Sequence, residues 1–257
     1  MKDLWEIYDE LLALVSQNSV VDECLIGLHW TLVKSGGIGL AMTPLEGEHK
    51  VTLSGKIIGM SVRELAECVK SWNYFEAAIG LSAINSVINT KKNVENITNQ
   101  PLVKQKYING FDYFNKMLKG KKVAVIGHFP GIEKMSEFCK LSILERIQQH
   151  GDYPDSACEY VLPKQDFVFI TASTLENKTL PRILELCSKS FTILLGPSTP
   201  LAPVLFNYGI NALVGNVVID SAKSKQIVAE GGTSVDLRPY ISTVILLKDN
   251  KKSSSIV

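Results

Sequence analysis

The sequence predicts an α/β protein: a small α+β unit over residues 1–120, then a Rossmann-like, doubly wound parallel sheet over 121–257. Three observations carry this. Before Gly120, apolar residues recur at helical spacing around one glycine-linked pair of strand-like runs. After it, short unbroken apolar runs appear at 123–126, 141–144, 167–170, 192–195, 212–214 and 244–247, as expected of strands buried on both faces. Helical patterns fall between these runs, clearest at Leu180, Ile183, Leu184 and Cys187, and give the alternation of a doubly wound sheet.

The elements follow in order. Leu4, Ile7, Tyr8, Leu11, Leu12 and Val15 form the stripe of a helix lying on a core. Strand-like runs at 24–33 and 38–42 are joined by Lys34-Ser35-Gly36-Gly37, which reads as a hairpin turn. Ser61 and Glu64 have capping-box spacing, opening a helix with Val62, Leu65, Ala66 and Val69 inward. Residues 75–87 form a helix rich in small side chains (Ala77, Ala78, Gly80, Ser82, Ala83), which allow close backbone approach. Tyr107, Phe111, Phe114 and Leu118 mark another helix, ending at Gly120. The Lys/Ser tail after Asn250 is expected to fray.

Composition narrows the function. The 257 residues are 46% hydrophobic and 21% charged, a globular balance. Lys+Arg 27 against Asp+Glu 26 leaves a net charge of +1, so no long-range field draws nucleic acid or an anionic membrane. The opening MKDLWEIYDE is acidic and amphipathic, unlike a signal peptide, and the apolar stretch 201–219 is broken by Pro203, Asn207 and Asn211. Five scattered cysteines without a C-x-x-C fit a reduced, cytoplasmic protein.

Ligands of such sheets sit outside the carboxyl ends of the strands. Those ends are Gly127-His128-Phe129-Pro130-Gly131, Glu145-Arg146, Thr171-Ala172-Ser173-Thr174 and Gly196-Pro197-Ser198-Thr199-Pro200, all carrying glycines, hydroxyls or ionisable groups. Phe129 occupies the place of the second glycine in a dinucleotide fingerprint, where a benzyl group obstructs a pyrophosphate. Glu145, 18 residues after Gly127, stands where an acid would hold a ribose, or else is a solvated strand end. Thr179, before Leu180-Pro181, is an expected helix cap, which leaves Asn177 available to a ligand. The amides of 196–200 suit an anion or form a plain structural turn.

His128 is the one histidine placed to transfer a proton, bond a ligand or bind a metal; bonded to a loop carbonyl, it would be structural. Cys24 and His29, five apart on one strand, would face opposite sides. Cys187 belongs to a core stripe, Cys68 and Cys139 lie in helical segments without a partner at ligand spacing, and His49 and His150 lie in polar loops. No spacing marks a zinc site, an iron–sulfur cluster, a Walker A loop or a nucleophile elbow.

Several segments together carry a resemblance: Ile26-Gly27-Leu28-His29-Trp30-Thr31-Leu32-Val33, Gly37-Ile38-Gly39-Leu40-Ala41, residues 76–85, Gly151-Asp152-Tyr153-Pro154, Leu162-Pro163 with Asp166, residues 174–179, Gly196-Pro197-Ser198 and Gly231-Gly232. Over nearly its whole length the chain resembles the prokaryotic putative heavy-metal chelation family. The resemblance implies an enolase amino-terminal-like domain, a Rossmann-like domain similar to those of methyltransferases, and a ligand site between them. It implies that the turn at Gly37, the helix bearing Asn85, and Gly231 and Gly232 contribute to that site.

The leading expectation is a small polar guest, nucleotide-derived or pterin-like and linked to metal chelation, held by an enzyme or ligand-handling protein with no assigned cofactor. His128 and Glu145 would serve as acid–base groups, with Gly127, Phe129, Thr171, Ser173, Thr174, Asn177, Gly196, Pro197, Ser198 and Thr199 around the ligand. The rivals are a non-catalytic carrier of a metal or metal chelate and an S-adenosylmethionine-dependent methyltransferase. Expected partners are the small molecule and, in a homo-oligomer, further copies of the chain, with no nucleic acid and no membrane.

Overall fold

The computed structural model describes residues 3–102 and 107–248; the Lys/Ser tail lies outside them. The first half contains α1 (Glu6–Ala13), an antiparallel sheet of β1 (Glu23–Ile26), β2 (Trp30–Lys34) and β3 (Ile38–Met42), then α2 (Val62–Ala66), α3 (Tyr74–Ile88), α4 (Lys91–Thr98) and α5 (Gly110–Leu118). The second half follows with β4 (Lys122–Ile126), β5 (Lys140–Glu145), β6 (Tyr153–Pro154), α6 (Cys158–Val161), β7 (Phe167–Thr171), α7 (Ser173–Glu176), α8 (Leu180–Leu186), β8 (Phe191–Leu195), β9 (Ala212–Val218), α9 (Ser221–Ala229), α10 (Ser234–Leu237) and β10 (Ile241–Leu247).

The large sheet runs β10-β9-β8-β7-β4-β5-β6, parallel except for β10, which pairs antiparallel with β9. The chain leaves β4 on one side to form β5 and β6, then crosses back to place β7 on the other. The carboxyl ends of β4 and β7 therefore flank the topological switch, where a crevice opens. Val123, Val125, Phe167 and Phe169 pack with Phe111, Phe114 and Leu118 of α5 on one face. Ala124, Ile126, Val168 and Ile170 pack on the other with residues of α1, α3 and α8. Both faces are buried, which is why these strands read as unbroken apolar runs.

Residues on either side of Gly120 share one core. Tyr8 of α1 donates through Oη to the Leu175 carbonyl in α7 at 3.1 Å, and α3 packs against α7. α3 is buried almost all round, as an apolar helix without a polar face must be. Its close approach to β3 depends on Gly39, where a β-carbon would overlap the Ser82 carbonyl oxygen. Ser82 Oγ in turn donates to the Gly39 carbonyl at 2.9 Å.

Several expectations change in detail. The run 24–33 is not one strand: it folds at Gly27, whose amide donates to the Trp30 carbonyl at 2.9 Å, so Cys24 and His29 do not share a strand at all. Leu4 stays exposed rather than joining the α1 stripe. Ser61 makes no side-chain cap; its hydroxyl turns to the Gln17 carbonyl instead. Cys139 sits just before β5 and not in a helix.

Gly39→Ala is expected to cost at least about 2 kcal/mol, because the obstruction is backbone and cannot swing aside. Gly36→Ala, whose β-carbon meets nothing within 4 Å, should be close to neutral. Denaturant melts of the two variants check this: equal midpoints would contradict the packing of β3 on α3.

Candidate functional site

A cavity of about 1050 Å³ lies over the carboxyl ends of β4, β7 and β8. Trp30, Met42 and Tyr74 wall it from the first half; Phe111, Asn216, Arg238 and Thr243 close another side. Its volume suits a metabolite rather than a bare ion.

Of the residues expected from sequence, Gly127, His128, Phe129, Glu145, Thr171, Ser173, Thr174, Asn177, Gly196 and Pro197 line this cavity. The others do not. Ser198 and Thr199 are buried beneath it: Ser198 Oγ accepts the Met42 amide at 2.8 Å, and the Thr199 amide donates to the Gly196 carbonyl at 3.0 Å. The Ser198 hydroxyl and the Thr199 amide are thus engaged within the protein, while Gly196 and Pro197 border the cavity. Asn85 is wholly buried, its Nδ2 donating to the Leu40 and Ser198 carbonyls, both at 2.9 Å. Gly37 packs against Ser86 and Thr90, away from the cavity. Gly231 and Gly232 terminate α9, their amides bonded to the Val228 and Ile227 carbonyls.

The expected proton-transfer pair is already engaged. Glu145 accepts the His128 amide at 2.8 Å and the Arg146 amide at 2.6 Å, so its carboxylate brackets two loops. His128 Nδ1 lies 2.9 Å from Asp152 Oδ2, and Nε2 lies 2.9 Å from Glu133 Oε1. A neutral imidazole has only one donor, so carboxylates on both nitrogens call for imidazolium. Burial opposes that charge, but the bonds to Asp152 and Glu133 outweigh it and raise the pKa. As built, His128 is a latch between the loops after β4 and β5. Thr179 does not cap α8 with its side chain; its amide and hydroxyl both donate to Asn177 Oδ1, at 3.1 and 2.6 Å.

The ionisable pair most altered by the cavity is one that spacing did not single out. Glu176 closes α7 with 2% exposure, and its Oε1 has no hydrogen-bond partner among the described residues. Burial pushes its carboxyl up to about 8, although the Lys178 charge, the Met42 amide and the Ser198 hydroxyl pull it down. Lys178, in a left-handed conformation (φ 66°), donates to the Glu176 carbonyl at 2.6 Å. Burial lowers its ammonium to about 8, against the attraction of Glu176. Both line the cavity, as do Trp30 and Arg238, whose Nε1 and Nε also lack partners. In the sequence Glu176 and Lys178 flank Asn177 within the stretch 173–179, whose hydroxyls and Asn177 stand out as the ligand-bonding or capping groups. Tertiary packing, which brings Met42 and Ser198 against it, takes the carboxylate out of water.

The donor chemistry does not fit a heavy metal held directly by the protein. Among the described residues no group of three or more His, Cys, Asp or Glu side chains is arranged to hold one. Burial raises every cysteine thiol, those of Cys24, Cys68 and Cys158 to about 11 and that of Cys187 to about 12, and among the described residues no cysteine belongs to a group of three or more such side chains. Among those residues no helix is long and apolar enough to cross a membrane.

Because the His128 pKa is raised on folding, the latch contributes stability below the ordinary histidine range and loses it as pH rises through the raised value. The Gln149 amide, held at 2.9 Å by Asp152 of the same latch, should therefore lose hydrogen-exchange protection as pH climbs past neutrality. His128→Ala should flatten that dependence. Protection in the parent that does not change with pH would contradict the latch.

Comparison with known proteins accords with this architecture. Residues 109–247 match the DUF364 family model and residues 8–88 the DUF4213 model, both described as "putative heavy-metal chelation". A crystal structure of a DUF364-family protein of unknown function from Desulfitobacterium hafniense is 37% identical, covers 96% of this chain and 100% of its own, and superposes with a TM-score of 0.89. Another, from Pyrococcus horikoshii, shares the fold at 22% identity and TM-score 0.78, covering 95% and 99%. An uncharacterized protein of Methanocaldococcus jannaschii is 28% identical over 211 residues, 76% of each chain. With the family model spanning more than half its length, and a relative of known structure superposing over 96% of it, the chain belongs to the DUF364 family, described as "putative heavy-metal chelation".

Proposed function

We propose that the protein binds a small organic molecule in this cavity and acts on it, its link to metal being chemistry of the guest and not a metal site of the chain. One observation carries the reading: the buried, unpartnered Glu176 Oε1 on the wall of a cavity large enough for a metabolite. A buried polar atom without a partner costs about 1–3 kcal/mol, and such a cost persists where a ligand supplies the missing bond. Phe111, Phe129 and Trp30 supply apolar walls for a flat or ring-bearing body. Glu176 and Lys178 are the groups placed to hold or move a proton on it, since both change charge near neutral pH. Ser173 and Thr174, also on the wall, offer further polar contacts.

Native mass spectrometry joined to metal analysis, on protein purified without chelator, tests this reading. The expected result is an organic adduct, with any metal present only in proportion to that adduct. Stoichiometric metal on protein free of organic guest would contradict it.

Glu176 also sets a sign for stability. Its carboxyl is raised on folding, so stability is fully present below the ordinary carboxylate range and declines as pH rises towards about 8. Glu176→Gln should remove that decline and melt higher at pH 8, by about 1–3 kcal/mol, while losing the adduct. A variant less stable than the parent at that pH would show that the carboxylate is compensated after all.

A further inference from the structure

The charges on the cavity wall pair off almost completely. Arg146 bonds Glu46 at 2.9 Å and lies 3.9 Å from Asp155. Arg182 bonds Glu159 and Glu185, both at 2.7 Å. Glu145 is held by backbone amides, His128 by two carboxylates, and Lys178 stands beside Glu176. Arg238 is the exception: among the described residues it makes no ion pair. Its guanidinium lies over the Tyr107 ring, 4.6 Å from the centroid, and its Nε is buried without an acceptor.

A second orphan donor lies in the same part of the fold. Trp30, 7% exposed, packs in one cluster with Leu237 and Ile241, the neighbours of the turn that carries Arg238, and Tyr107 packs on that cluster. Its indole Nε1 is likewise buried without an acceptor. The acidic side chain nearest in sequence, Asp236, is taken up by the Thr233 amide and hydroxyl at 2.7 and 2.8 Å, so it does not neutralise the guanidinium. Two buried donors with no acceptor among the described residues, one of them on a permanent cation, border a cavity whose other cations each face a carboxylate. The missing component is an anionic acceptor. Resting on the proposed cavity reading, we infer that the Trp30–Tyr107–Arg238 wall binds the anionic group, a carboxylate or a phosphate, of the small-molecule guest. A guanidinium fork matches either group in two parallel bonds, and the ring beneath it fixes the plane of the fork. The assignment also gives the guest a direction. Its anionic end faces Arg238, and its proton-exchanging part faces Glu176 and Lys178.

The test follows the indole N–H resonance of Trp30, assigned by Trp30→Phe, while the full chain is titrated with inorganic phosphate and separately with acetate, chloride being the control. Saturable movement of the Trp30 signal by at least one of the two, with Trp5 and Trp72 unmoved, is expected. Whichever titrant saturates identifies the preferred anion. Arg238→Gln should weaken that binding at least tenfold while keeping the Trp5 and Trp72 resonances of the folded parent. Arg238→Lys, which keeps the charge but loses the fork, should weaken it by a smaller factor, and serves if the glutamine variant fails to fold. A Trp30 signal that neither anion moves up to about 100 mM, well beyond the millimolar range of a weak single-group contact, would overturn the inference. So would equal binding by parent and Arg238→Gln. The two readings fail separately. An organic adduct retained undiminished by Arg238→Gln removes the anion contact and leaves the cavity reading. Arg238-dependent phosphate binding by protein that carries no adduct does the reverse.

Discussion

Two asparagine side chains, one on α3 and one at its C-terminal cap, hold the small sheet against the carboxyl ends of the large one. Asn85 Nδ2 bridges the Leu40 carbonyl in β3 and the Ser198 carbonyl after β8, and Asn89 both donates to the Thr199 carbonyl and accepts the Leu201 amide. These bonds lie in the interior, where leaving a partner orphaned costs more than making the bond returns. The cavity has walls from both halves of the chain because these amides join them. α3 in turn reaches β3 only because Gly39 and the small residues facing it let the backbones meet.

With that frame fixed, the electrostatics of the cavity become uneven in an informative way. Most charged groups around it neutralise one another or hold loop backbone. Glu176 and Lys178 are kept in a place whose burial favours their uncharged forms. Lys178 also adopts a backbone conformation that side chains other than glycine, asparagine and aspartate rarely take. Strain and desolvation concentrated on one loop are what a binding site retains and a purely structural loop would lose. The metal link in the family description sits comfortably with this picture when metal is understood as a property of the guest, since among the described residues no three such side chains are grouped to hold a metal and both His128 ring nitrogens already face carboxylates.

Much of the architecture could be read from residue order alone. The parallel strands announce themselves because burial on both faces leaves no polar alternation, and the Gly36-Gly37 turn marks its hairpin. The break at Gly27 was hidden because the residues on both sides of it are apolar, and its turn is set by packing against α9. β6 is two residues long and carries no pattern of its own. The place of the cavity was legible in the strand ends; the bonds its side chains make were not. Strand ends located Gly127, His128, Glu145 and Thr171, yet whether a carboxylate is free or bonded to its own loop amides depends on distances that spacing does not encode. Glu176, Trp30 and Arg238 come from α7, from the small sheet and from the turn before β10. No local motif links them; tertiary packing brings them to one cavity.

The account stands on a guest filling the space between these three residues. Its most direct test is a crystal structure of protein purified from its native host without added ligand. The account predicts continuous organic density running from Arg238 and Trp30 to Glu176, with acceptor atoms at hydrogen-bond distance from both orphan donors. Density showing only ordered water bonded to all three groups, or a metal ligated directly by side chains of the chain, would contradict it.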